Sequence, residues 1–178
     1  SGDILRHRLG QEMSLQLLDY VDSQIPEDAS AVMIIGPRGT FSEAEVNVLA
    51  DYMDRGGRLA IFTDPPLVDN VPALTNTALM EGSPFANYLR DEFGIQVKDQ
   101  LVLQTNPTYV SEFNPLIEAN VPSSLLDLAQ GAQIVMAFVR SIELTDTSDA
   151  TQVNYERQPV FYSSVESFGE SDLVDILE

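Results

Sequence analysis

The stretch AVMIIGPRGTFSEAEVNVLADYMDRGGRLAIFTDPP, residues 31–66, constrains the fold more than any other part of the chain. Ala31 to Ile35 is a continuous apolar run bounded by turn residues, which predicts a strand buried on both faces. Gly36, Pro37 and Gly39 make a tight loop after it. Ser42 and Glu45 have the spacing of a capping box, with Phe41 and Val46 placed for a hydrophobic staple. Val46, Leu49, Ala50 and Met53 recur as the inner face of the helix that follows. Gly56 and Gly57 end it, since one of them can take a left-handed conformation without a side-chain clash. Leu59 to Thr63 is the next strand, Asp64 falls at its carboxyl end, and Pro65-Pro66 prevents its extension.

Elsewhere the pattern is less regular. Met13, Leu17 and Val21 predict an amphipathic helix over residues 11–24. Residues 67–82 form a polar excursion, and Ser83-Pro84 opens another helix with Phe85, Tyr88, Leu89 and Phe93 inside and Gly94 as its stop. Ile95, Val97 and Leu101 to Leu103 predict a strand or strand pair. Pro107, Pro115 and Pro122 make residues 104–124 loop-like, and Leu125 to Ala129 suits a short helical turn. Ile134 to Val139 and residues 153–162 are further strand candidates. Strands alternating with helices predict an α/β domain, one unit of 178 residues, with a mostly parallel sheet and an antiparallel edge in the loop-rich half.

The formal net charge of -19 repels nucleic acid and anionic lipid. It suits a solvated surface, high salt, or a basic partner protein. There is no cysteine, hence no disulfide, thiolate nucleophile or zinc–sulfur site. No run is long and apolar enough to span a membrane, and Ser1 to Gln11 does not read as a signal peptide. Starting without methionine and ending on Glu178 after an apolar stretch, the chain is expected to be a piece of a longer protein.

Few residues carry chemistry. Arg38 and Thr40, in the loop before a helix N-terminus, are candidates for contact with an anion or other ligand. The loop matches neither the dinucleotide fingerprint nor the phosphate-binding loop, whose lysine is absent, and Ser42 offers a purely structural use for the free amides. Asp64, at a strand's carboxyl end with Asp69 nearby, is a candidate ligand or magnesium contact, or else a turn cap. His7, the single histidine, lies in a polar end segment and is a poor general base. Tyr109, Phe113, Tyr155, Phe161, Tyr162 and Phe168 are candidates to line a groove or fill the core.

The segment Ile25-Pro26-Glu27-Asp28, then Ala31 to Pro37, then Phe41-Ser42-Glu43-Ala44-Glu45 resembles the extracytoplasmic domain of auxiliary proteins of ABC-type transport systems, the group with the gliding-motility auxiliary component. Leu49, Tyr52, Arg55-Gly56-Gly57-Arg58-Leu59 and Phe62-Thr63-Asp64-Pro65 continue the match. Phe41 stands where leucine is commoner in that family. Phe85 to Leu103 is a second match, and Val160 to Asp172 a weaker third. The resemblance implies a three-layer Rossmann-like or glutamine-amidotransferase-like sandwich held outside the membrane by segments beyond this chain. It also implies a non-catalytic accessory, substrate-binding or scaffold role beside an ABC permease and ATPase. A small molecule or sugar is a candidate ligand of the domain, and no cofactor is expected. Two other readings stay open: a carboxylate-dependent hydrolase or sugar-active enzyme using Asp64, and a purely structural assembly domain.

Overall fold

Val32–Ile35 (β1), Glu43–Asp54 (α1) and Leu59–Phe62 (β2) form, in the computed structural model, the strand–helix–strand unit that the sequence predicts. The structure describes residues 13–18, 24–64, 77–105, 116–119, 134–136, 139–145 and 156–172. β1 and β2 pair in parallel, from Val32 beside Leu59 to Ile35 beside Phe62. Ser42 caps α1 with a full capping box. Its hydroxyl accepts from the Glu45 amide at 3.3 Å, while the Glu45 carboxylate accepts from the Ser42 amide at 2.8 Å. Gly56, at φ +84°, turns the chain out of the helix, in the region that glycine enters without strain.

The buried face of α1 is Val46, Leu49 and Tyr52, with Met53 partly covered. Tyr52 was not expected there. Its ring lies against Gly57, where a Cβ would overlap it. Its hydroxyl donates to the Ala29 carbonyl and accepts from the Arg58 amide, each at 3.2 Å. The side chain therefore ties the approach to β1 to the approach to β2, which explains why the second glycine follows the first.

Pro84–Phe93 (α2) starts where the sequence places it. The Ser83 hydroxyl accepts from the Ala86 amide at 3.3 Å and donates to the Ala78 carbonyl at 2.9 Å. Gly94, at φ +63°, closes the helix and passes the chain directly into Ile95–Gln104 (β3). The remaining strands are Leu116–Ala119 (β4), Ile134–Val135 (β5), Arg140–Leu144 (β6), Phe161–Ser163 (β7) and Ser167–Glu170 (β8). They build two three-stranded sheets, in the orders β6-β3-β8 and β5-β4-β7.

The result is a mixed α/β sandwich. Among the described residues parallel pairing is confined to β1 and β2, and the four other pairings are antiparallel. One apolar cluster joins β1, α1, α2 and the start of β3. Phe41 and Phe85 meet at its centre, ring centroids 4.6 Å apart, and Ala78 and Leu79 are fully buried beside them.

Several expectations need correction. β1 is buried on one face only: Val32 and Ile34 are inside, Met33 and Ile35 outside. Residues 13–18 are not helical, and Met13 and Leu17 are exposed. Of these residues only Leu18 packs against the core, too little burial to offset the cost of nucleating a helix there. Of the two alternatives for Ile95 to Leu103, a strand or a strand pair, the single strand holds, with a shift of register between Val97 and Leu101. The loop-like stretch 104–124 contains β4. Of the strand predicted at Ile134 to Val139, the described residues show Ile134–Val135 as strand, and a new strand starts at Arg140. Of residues 153–162, the described part becomes a strand only at Phe161, and β8 follows unforeseen. The helical turn at residues 125–129 lies outside the described residues.

Candidate functional site

The carboxyl ends of β1 and β2 lie side by side, and the candidate site residues of the sequence gather around them. The Gly36 amide donates to the Phe62 carbonyl at 2.8 Å, which extends the parallel ladder by one residue before the loop begins. The Asp64 carboxylate then folds over Gly36. A Cβ on Gly36 would lie 2.9 Å from Asp64 Oδ2, and the backbone there has φ +54°. Glycine is thus required twice, by conformation and by close approach. Asp64 is half-buried, and no hydrogen bond or ion pair from the described residues reaches its carboxylate.

Arg38 and Thr40 follow in the same loop, and both are exposed. The loop is pinned by Thr77, whose amide and hydroxyl both donate to the Arg38 carbonyl, at 3.1 and 3.0 Å. Among the described residues no hydrogen bond or ion pair joins Asp64 to Arg38 or Thr40. The electrostatics at the start of α1 also turn against an anion. Glu43 and Glu45 occupy the first turn, and the capping box already takes up the nearest donors. The positive end of the helix is therefore met by the protein's own carboxylates, and the loop favours a cation or a hydrogen-bond donor.

The other candidates disperse. Asp69, His7, Tyr109, Phe113 and Tyr155 lie outside the described residues. Phe161 and Tyr162 on β7 and Phe168 on β8 are exposed, but they belong to two different sheets. Among the described residues no three acids or histidines converge as a metal site would need.

No motif announces the shallow groove between α2 and β3, lined by Glu81, Asn87, Arg90, Gln96, Lys98 and Asp99 and open to solvent. Its charges are already balanced. Arg90 forks onto Asp91 at 2.7 and 3.1 Å, and that hydrogen bond raises the guanidinium above its ordinary value. Lys98 pairs with Glu143 at 3.3 Å, and Asp99 with Arg140. These are polar positions on an amphipathic helix and a half-exposed strand, so nothing in their spacing sets them apart.

A family model described as an ABC-type uncharacterized transport system matches residues 5–175. No curated protein matches the chain. Among solved structures, the chain is similar to one titled "mmIFT52 N-terminal domain", with a TM-score of 0.59 at 22% identity. The match covers 81% of this chain and 65% of that one. At that identity the likeness is one of fold alone. No helix among the described residues is long and apolar enough to cross a membrane.

Proposed function

The chain belongs to the ABC-type uncharacterized transport system family, whose model marks it as an auxiliary component, and from that membership we propose a non-catalytic accessory domain held on the extracytoplasmic side. The observation that carries this reading is the family match over residues 5–175. The domain works by recognition: the carboxyl edge of β1 and β2 presents Arg38, Thr40 and Asp64 while the strands hold them in place. Its partners are the permease and ATPase of the parent system, and a small molecule or sugar is a possible cargo at that edge. The chain is a single domain of a larger anchored protein, and the β1–α1–β2 unit is the part of a three-layer, Rossmann-like arrangement that the described residues support.

An enzyme built on Asp64 is the competing reading, because the carboxylate is half-buried and has no partner among the described residues. A glycoside-hydrolase chemistry needs a second carboxylate across a cleft. Asp64 instead faces a glycine.

Two measurements test the proposal. The chain has no cysteine, so Val165→Cys, at a position 98% exposed, gives this domain one reporter thiol, read in the parent protein against the unsubstituted parent. A membrane-impermeant maleimide should label it in intact cells, and labelling only after lysis would rule out the extracytoplasmic placement. The tagged parent, solubilised in detergent, should also retain the permease and ATPase of its own system. Recovery without either subunit would remove the accessory role.

A further inference from the structure

α1 and the core cover one face of the β1–β2 pair, and the opposite face presents exposed apolar side chains. Val32 and Ile34 point inward, so Met33 and Ile35 point outward. Register sets Met33 beside Ala60 and Ile35 beside Phe62, and residues in register share a face. Met33, Ile35 and Phe62 are 38%, 52% and 53% exposed. A single exposed aliphatic side chain means little, but these form one strip across two parallel strands. Parallel strands are ordinarily covered on both faces, and a contiguous uncovered apolar patch marks an interaction site.

The strip ends in a charge. Asp64 stands two residues beyond Phe62, with its carboxylate over Gly36 at the end of β1. No ion pair or hydrogen bond from the described residues satisfies it. The whole chain carries a net charge of -19, which attracts positively charged partners and opposes self-association.

We propose that this strip docks a basic amphipathic helix of a partner protein. The helix lies on the β1–β2 face with aliphatic side chains on Ile35 and Phe62 and a lysine or arginine on Asp64. It supplies the layer that α1 supplies on the other side. A second copy of the chain is the poorer occupant, because two surfaces of the same strong negative charge would have to meet. The biological sense of the surface rests on the accessory-domain reading, but its test involves no transport subunit, so either can fail without the other.

The test uses the full chain and three fluorescent synthetic helices, read by anisotropy. One is a leucine/lysine amphipathic helix, the second keeps its lysines but replaces leucine with serine, and the third is leucine/glutamate. The leucine/lysine helix should bind at least about tenfold more tightly than the serine/lysine helix, as anchor side chains in a pocket do. Ile35→Gln with Phe62→Gln should abolish that preference. Asp64→Asn should weaken leucine/lysine binding by about three- to tenfold and flatten its dependence on salt. Circular dichroism checks that each variant is folded, and Met33→Gln replaces the double variant if that one is not. Equal binding of the leucine and serine helices, a preference that survives in the double variant, or equal binding of the leucine/glutamate helix would each overturn the proposal. So would a dimer in sedimentation that the double variant dissolves, which would make the occupant a second copy.

Discussion

The β1–α1–β2 unit and the sheet around β3 hold together by different means. In the first, the shaping contacts are short in sequence: a capping box three residues wide, a glycine stop, and a tyrosine that spans 23 positions to Ala29. In the second, Arg140 reaches back 42 positions to the Lys98 carbonyl at 2.7 Å and 61 to that of Leu79 at 3.3 Å. It also pairs with the Asp99 carboxylate. Lys98 and Asp99 sit where β3 shifts register between Val97 and Leu101, and Leu79 lies in the segment before α2. One buried guanidinium thus does for the irregular stretch of β3 what backbone pairing does elsewhere. Burial lowers the Arg140 pKa, and the Asp99 charge works against that fall. The two regions meet in the cluster that contains Phe41, Phe85 and Val97.

The largest expected effect lies at that meeting point. Phe85 is fully buried and packed on Phe41, so Phe85→Ala should cost about 3–5 kcal/mol by urea denaturation. If the regions form one cooperative unit, hydrogen exchange should rise equally in α1 and β3. A loss confined to either side would split the comparison into two independently stable parts. Next comes Arg140→Met, which removes the donor to two carbonyls and a carboxylate and should cost about 3 kcal/mol. Arg140→Lys should recover little, because a single ammonium cannot reproduce the guanidinium fork. Full recovery with lysine would show that charge, not geometry, holds the β3 irregularity.

The same contrast decides what could be read from the sequence. Ser42, Glu45, Gly56, Ser83, Pro84 and Gly94 all act within a turn of their own position, and each does what its residue type and spacing predict. Tyr52 was named only as part of a family resemblance, since its role depends on Ala29 and Arg58 arriving on either side of it. Arg140 directly follows the apolar run Ile134 to Val139 and carries no signal of its own in the sequence. Nothing near it in sequence announces that Leu79, Lys98 and Asp99 converge on it. The open face of β1 was hidden for a related reason. A run such as Val32 to Ile35 is apolar whether one face or both are covered, and only the placement of other elements decides. At the candidate site, Asp64 could be placed at a strand end from the proline pair that follows it, whereas its approach to Gly36 needed the parallel register.

Smaller effects sharpen the local side of the comparison. Gly57→Ala drives a methyl group into the Tyr52 ring, whose hydroxyl is held at both ends. Overpacking of this kind should cost about 1–3 kcal/mol, read as a lower urea midpoint. Tyr52→Leu should relieve part of that loss in the double variant. A fully additive pair would mean that the ring moves freely and that the tyrosine does not bridge the two strand approaches.

The smallest change is at Ser42. Its hydroxyl accepts from the Glu45 amide and donates to the Glu45 carboxylate at 2.7 Å, while the Ser42 amide donates to that carboxylate independently of the side chain. Ser42→Ala therefore removes the hydroxyl half of the capping box and leaves the backbone half in place, at a cost of about 1 kcal/mol. Ser42→Gly should cost only about a few tenths of a kcal/mol, because glycine is itself tolerated at a cap. The two variants separate capping from any other use of the residue. If alanine and glycine destabilise equally, the hydroxyl serves something other than the helix end. If the cap is what matters, the alanine variant should raise hydrogen exchange first in the opening turn of α1, well before β3 responds.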